Sequence, residues 1–228
     1  MGVSIQMKLN DNLYLRDPQD TKLGRKIIYY SIILIDEIGF ERFTFKKLAE
    51  RIESTEASIY RYFENKHLLL VYLVSWYWEW MKFRIDFNTM NISDPLKKLP
   101  IVLNIIVDTA KRNTSIEFVD EDVLHRIVVS EATKAYHTKN VDAENRQGFF
   151  LTYKNLSKKI ADLLLEINPD FPYPNAAAST LMEMANNHIY FAKHLPSLTD
   201  VCVSENDYSE VVELLQFTAL TLIGRYKK

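Results

Sequence analysis

The stretch Ile38–Leu70, IGFERFTFKKLAERIESTEASIYRYFENKHLLL, decides how this chain folds, because it holds three helix starts, two tight breaks and an aromatic run within a short span. Gly39 can take the positive φ that ends a helix. Thr44, Thr55 and Asn65 each carry a side-chain oxygen suited to accept a backbone amide of a first helical turn. Phe45, Leu48, Ala49 and Ile52 recur at helical spacing, and Ile59 and Phe63 do so in the next segment, so two short helices share one small core. Two such helices joined by a few residues form a helix-turn-helix, whose second member can enter the major groove of DNA.

The second helix, expected over Thr55–Tyr62, has side chains suited to that task. Ala57 and Ser58 are short enough to let the backbone lie near the groove floor, and Arg61 offers forked donors for guanine or a phosphate. Tyr60 and Tyr62 can donate hydroxyls to phosphate oxygens. Glu56 repels phosphates but can accept from a cytosine amino group. Lys66 with the amides at the start of its helix forms an expected phosphate clamp, as does Thr44 with its own helix start. The plain alternative is packing for the two tyrosines and a solvated charge for Arg61.

Gly39-Phe40, Thr44, Leu48-Ala49-Glu50, Thr55, Ile59-Tyr60, Tyr62-Phe63 and Asn65-Lys66 stand where the tetracycline-repressor (TetR/AcrR) family of bacterial regulators keeps its DNA-binding signature. From about Lys22 to Leu73 the chain resembles that family in register, and the remainder resembles it only as a helical domain of the right length. The resemblance implies an all-α fold, with a three-helix helix-turn-helix domain followed by a larger helical ligand-binding and dimerisation domain. It also implies that Lys46 reaches a base edge, and that repression is relieved by a small molecule. Two positions depart from the family pattern. The turn reads Glu53-Ser54, where the family carries glycine and a small apolar residue, so Glu53 must accept strain or the turn must form without a free positive-φ residue. Glu56 stands where a polar or basic residue is usual.

The composition fits this reading. Only 5 Gly and 7 Pro punctuate 228 residues, and the long periodic runs between them argue for an all-helical protein. The net charge is −2, split as +1 over residues 1–66 and −3 over the rest, so DNA binding must depend on where cations lie rather than on their number. One cysteine, Cys202, excludes an internal disulfide, and no Cys/His spacing suggests a structural metal. With no apolar signal core and no run long enough to span a bilayer, the expected location is the cytoplasm.

In chain order, residues 1–20 read as a flexible arm, 21–66 as the helix-turn-helix domain and 67–228 as the regulatory and dimerisation domain. Ile27, Ile28, Ile32, Ile35 and Ile38 supply the buried side of the first helix. The helix from Asn65 to about Asn88 is apolar nearly all round and is expected to be buried. Its Trp76, Trp80 and Phe83 are candidates to line a pocket for a small apolar effector, against the alternative that they are plain core. Asp94-Pro95 and Asp120 open further helices. Glu121 and His125 lie one turn apart without a third ligand, and from Asp142 to Asn168 the residues Phe149, Tyr153, Leu156, Ile160, Leu163 and Ile167 repeat at spacings of four and three as a packing seam. The last two helices, Pro174–Leu195 and Asp207–Arg225, each carry two apolar faces. One pair of faces is assigned to a homodimer interface through Ala178, Met182, Ala185, Ile189, Leu214 and Thr218, and His188 reads as a hydrogen-bonded core or interface residue.

The leading reading is therefore a homodimeric regulator that binds a near-palindromic double-stranded operator, with a small-molecule effector and no cofactor. The alternative is a carrier or interaction protein that keeps the fold without binding DNA, which Glu53, Glu56 and the charge balance permit. No catalytic order of Ser, His and Asp and no Gly-rich phosphate loop is visible, so no catalytic residue is assigned.

Overall fold

The computed structural model describes residues 6–108, 118–204 and 207–225. Among these the chain forms α-helices and short 3-10 turns, with no strand. The helices are α1 (Lys22–Ile38), α2 (Phe45–Arg51), α3 (Glu56–Tyr60), α4 (Lys66–Thr89), α5 (Pro95–Asp108), α6 (Glu121–Glu131), α7 (Thr133–Tyr136), α8 (Val141–Arg146), α9 (Leu151–Ile167), α10 (Pro174–His194) and α11 (Ser209–Arg225). Two compact units result, one from Met1–Trp80 with Arg112–Tyr153, the other from Met81–Lys111 with Lys154–Lys228. Compactness thus departs from the linear division expected at residues 66 and 67, because α6 to α8 pack with the amino-terminal helices.

In the first unit, the Thr21 hydroxyl accepts the Gly24 amide at 2.9 Å and so caps α1. Ile27, Ile28, Ile32 and Ile35 are buried, while Ile38 is only half-buried. Gly39 ends the helix at φ 76°, ψ 153°, a region that essentially only glycine occupies, and its N–H donates to the Ile35 carbonyl at 2.8 Å. At this end α6 is tied to α1. Arg126 meets both oxygens of Asp36, at 3.0 and 2.8 Å. This hydrogen bonding raises the guanidinium above its ordinary range. The Glu131 carboxylate accepts the Phe40 amide at 3.1 Å.

Residues 6–20 are not the flexible arm expected from their polarity. Met7, Leu9 and Leu13 are buried, and the Gln19 side chain exchanges two hydrogen bonds with the Met7 backbone, at 2.9 and 2.8 Å. The Leu15 amide donates to the Tyr62 carbonyl at 2.8 Å. The three apolar anchors lie in irregular backbone and one 3-10 turn, too few and too unevenly spaced to read as a helix or strand.

Helix α4 matches expectation over its first part, where Leu69 to Trp78 are buried without a break. Some polar atoms inside this apolar rod are satisfied by α6 and α7, while the Tyr72 hydroxyl and the Trp76 indole N–H are buried without a hydrogen-bond partner among the described residues. The Trp78 indole N–H donates to the Tyr136 hydroxyl at 2.7 Å, and Tyr77 shares a 2.9 Å bond with His125 Nδ1. Gly148, at φ 81°, separates α8 from α9, so the seam residues Tyr153, Leu156, Ile160, Leu163 and Ile167 all lie on α9, with Phe149 just before it.

In the second unit α5, α10 and α11 pack on one another. Ala178, Met182, Ala185 and Ile189 are at most 3% exposed, so the small-residue face of α10 is used within the chain and is not free to meet another subunit. Small side chains let α11 approach closely there, bringing Val211, Leu215 and Ala219 into the same core. Leu214 and Thr218 are half-buried. The outward apolar residues are instead Tyr190 on α10 and Phe217, Leu220 and Leu222 on α11. His188 is half-buried, with Nδ1 2.8 Å from the Thr199 hydroxyl.

One close approach makes a direct test of the first unit. A Cβ at Gly24 would stand 2.2 Å from the Pro18 carbonyl oxygen, where backbone must shift to admit it. Gly24→Ala is expected to lower the unfolding free energy by about 1–3 kcal/mol in urea denaturation despite the higher helix propensity of alanine. Unchanged or increased stability would show that residues 18–24 do not pack as described.

Candidate nucleic-acid interface

Helices α2 and α3 are placed by their apolar inner faces. Phe45, Leu48, Ala49, Ile52, Ile59 and Phe63 are all buried. The Thr44 hydroxyl accepts the Lys47 amide and the Thr55 hydroxyl accepts the Ser58 amide, both at 3.3 Å. The turn between them passes through Glu53 at φ 54°, the one non-glycine with positive φ among the described residues. The chain keeps the left-handed turn without its usual glycine, and the strain falls on Glu53.

The outer face carries Lys46, Lys47, Glu50, Thr55, Glu56, Ala57, Tyr60 and Arg61 exposed, with Ser58 half-buried. Tyr60 is 48% exposed and sets its ring edge-on to Phe45 with centroids 5.0 Å apart. Its hydroxyl end thus remains available while the ring is fixed. Lys46 and Arg61 make no hydrogen bond or ion pair among the described residues. Neighbouring cations are committed: Lys47 donates to the Arg42 carbonyl at 2.9 Å, and Arg51 pairs with Glu37 at 2.6 Å. Lys46 and Arg61 are thus the cations of this face left without a protein partner among the described residues, beside the exposed carboxylates of Glu50 and Glu56.

Two expected phosphate contacts are corrected. Tyr62 is buried, and its hydroxyl lies 2.8 Å from that of Thr21, so it ties α3's end to the start of α1. Lys66 is also turned inward. Its ammonium donates to the carbonyls of Phe40, Glu41 and Phe43 at 3.0, 3.1 and 3.2 Å and sits over the Phe40 ring at 4.7 Å. Its three protons are all used, leaving none for a phosphate. Arg16, set aside in the sequence as part of the arm, lies exposed with its guanidinium 5.7 Å from the Tyr62 ring centre. No periodicity marked it.

The expected effector residues separate. Trp76 and Trp80 are buried and stacked, with centroids 6.0 Å apart, and are packed core rather than cavity wall. Phe83 borders a cleft of about 520 Å³ in the second unit, with Phe87, Met90, Val102, Ile160 and Leu163. Glu121 and His125 are buried, and no group of three or more potential metal ligands occurs among the described residues. Among the described residues no helix is long and apolar enough to cross a membrane.

Residues 28–73 match the family model described as bacterial regulatory proteins, tetR family. No curated protein sequence matches the chain. Among solved structures, a TetR-family transcriptional regulator from Syntrophomonas wolfei superposes with a TM-score of 0.65 at 14% identity, covering 91% of this chain and 98% of that one. The fatty acid degradation regulator FadR from Bacillus halodurans does so with a TM-score of 0.59 at 17% identity, over 89% and 95%. AibR, solved with isovaleryl coenzyme A and operator DNA, gives 0.59 at 13% identity, over 89% and 100%. At these identities the likeness is one of fold.

Two substitutions separate structural from surface roles here. Glu53→Gly is expected to stabilise the protein by about 0.5–1 kcal/mol, the released left-handed strain of roughly 1–2 kcal/mol less the added entropy of glycine. Lys66→Met is expected to destabilise it by about 1.5–3 kcal/mol, through lost hydrogen bonds from a charged group. Urea denaturation reads both, and a Lys66→Met variant as stable as the parent would refute its role as an internal clamp.

Proposed function

We infer, for a chain that belongs to the tetR family of bacterial regulatory proteins, a dimeric transcriptional regulator that binds a near-palindromic operator and leaves it when a small molecule binds. The observation that carries this reading is the outer face of α3 and its neighbour α2, where Arg61 and Lys46 stand exposed and unengaged beside the short side chains of Ala57 and Ser58. Arg61 reads a guanine edge through its forked donors, and Lys46 reaches a second base edge. Thr44, Thr55 and Tyr60 donate hydroxyls to phosphates, Arg16 adds a cation at the flank, and Glu56 restricts the sequences accepted. Two copies place their α3 helices about 34–36 Å apart, one turn of DNA.

The dimer forms through the outward faces of α10 and α11, where Tyr190, Phe217 and Leu220 are exposed, and not through the buried small-residue face. Isologous pairing would cover these residues. The effector acts through α4, which runs unbroken from Lys66 to Thr89 without proline or glycine; Lys66–Trp80 belong to the first unit and Met81–Thr89 to the second. AibR, with both a coenzyme A thioester and operator DNA, supports a ligand-responsive reading. A ligand shifts the equilibrium only by its difference in affinity between two states, commonly about 1–3 kcal/mol, and DNA must weaken ligand binding equally. The second reading, a carrier that does not bind DNA, is favoured only by the exposed carboxylates of Glu53 and Glu56.

Selection of bound sequences from random DNA by the purified protein is expected to enrich one near-palindromic motif. Arg61→Ala should relax one base preference per half-site at a cost of about 1–3 kcal/mol. Absence of any enriched motif at low salt would replace the regulator with the carrier. In sedimentation, Phe217→Glu is expected to yield monomers from a dimeric parent. A parent that is monomeric at micromolar concentration would overturn the dimer.

A further inference from the structure

The cleft of the second unit is floored by buried Ile85, Val102, Ile160 and Leu163, while Phe87 and Met90 stand 65% and 71% exposed at its lip. Helix α9 contributes Ile160 and Leu163 to the floor and one partner to the ion pair at each end. Ile160 and Leu163 lie between Lys159 and Glu166, which are seven residues apart, or about 10 Å along the helix axis. Each end is closed by an ion pair, Lys159 to Asp86 of α4 at 2.5 Å and Lys98 of α5 to Glu166 at 3.1 Å. The result is a straight apolar trough with charge at both ends, which fits a short alkyl chain better than a compact ring system.

The two ends differ. Asp86 is held by two ammonium groups, Lys159 and, at 3.0 Å, Lys82. Burial would raise its carboxyl, but these bonds outweigh it and hold the group below its ordinary range. That end thus holds two contacts on one carboxylate, with Lys159 and Asp86 themselves part-exposed. At the other end a single contact joins Lys98, whose side chain is 23% exposed, to Glu166, which is 50% exposed. A pair this exposed contributes little, so Glu166 can turn into solvent and leave the ammonium in the wall. The reverse, with Lys98 leaving and the carboxylate staying, is disfavoured by the burial of the lysine stem. The exchangeable end therefore presents a cation.

We propose that this cleft binds a linear medium-length amphiphile with an anionic head, its chain laid along Ile160 and Leu163 under Phe87 and Met90, and its head taking the place of Glu166 on Lys98. This deepens the effector reading above by naming the ligand class, and it rests on that reading only for its effect on DNA.

Titration calorimetry of the full chain with octanoate, octanol and octylammonium tests the assignment. Octanoate is expected to bind about tenfold or more tighter than octanol, with octylammonium weakest. Lys98→Met should abolish the preference for octanoate over octanol while leaving octanol binding intact. Glu166→Gln, at a half-exposed position, should tighten octanoate several-fold and leave octanol unchanged, a gain that a merely structural role would not produce. Phe87→Asp should weaken both. The proposal is overturned if none of the three probes binds, if octanoate binds no tighter than octanol, if the preference survives Lys98→Met, or if Glu166→Gln weakens octanoate. Operator affinity measured with and without saturating octanoate keeps the two readings apart: octanoate binding with unchanged operator affinity sinks the effector role alone, and operator binding without octanoate preference sinks the ligand class alone.

Discussion

The ammonium of Lys66, clasped by the carbonyls of Phe40, Glu41 and Phe43, is the constraint on which the DNA-binding frame depends. The loop after α1 carries the carbonyls of Phe40, Glu41 and Phe43 outside any helix, and the turn at Gly39 gathers them into one place. A lysine from the start of α4 supplies the missing donors. The Phe40 ring beneath it adds a cation–π contact and excludes water from one side. One side chain thus links the exit of α1, the entry to α2 and the first turn of α4. The inner faces of α2 and α3 then fill the space that this link defines, and their outer faces are left to meet a ligand.

A second set of contacts fixes the same corner from behind. Glu131 accepts the Phe40 amide, Arg126 grips Asp36, and Lys134 bridges Glu131 at 2.7 Å and Glu41 at 3.1 Å. The turn after α1 is therefore held by α4 on one side and by α6 and α7 on the other. This explains why residues 112–153 fold into the same unit as the helix-turn-helix rather than with the helices that follow them in sequence.

What the sequence made legible follows from how local each signal is. The caps at Thr44, Thr55, Asn65 and Asp120 were readable because a cap is a relation between residues two or three apart, and each makes its expected bond. The strain at Glu53 was readable because a left-handed turn leaves few choices of residue. Lys66 and Tyr62 misled because a polar side chain at a helix end looks the same in sequence whether it turns outward to a phosphate or inward to a partner some 20 to 40 residues away. The two faces of α10 misled for a similar reason. Ala178, Met182, Ala185 and Ile189 have the pattern of a buried stripe, and periodicity does not say whether the partner lies in the same chain. Residues 6–20 gave no such signal, since Met7, Leu9 and Leu13 sit in short, irregular backbone.

These distinctions converge on the salt dependence of DNA binding. Each cation that meets a phosphate releases counterions and adds to the slope of log affinity against log salt, whereas an internal cation adds nothing. Measured on the selected operator, Lys46→Ala or Arg61→Ala is expected to weaken binding by loss of a base contact with a change in slope of at most about one, and Arg16→Ala to lower the slope by about one. Lys66→Met, once corrected for the folded fraction, is expected to leave the slope unchanged. A fall in slope on removal of Lys66, with Arg16, Lys46 and Arg61 all silent, would contradict the account at its centre.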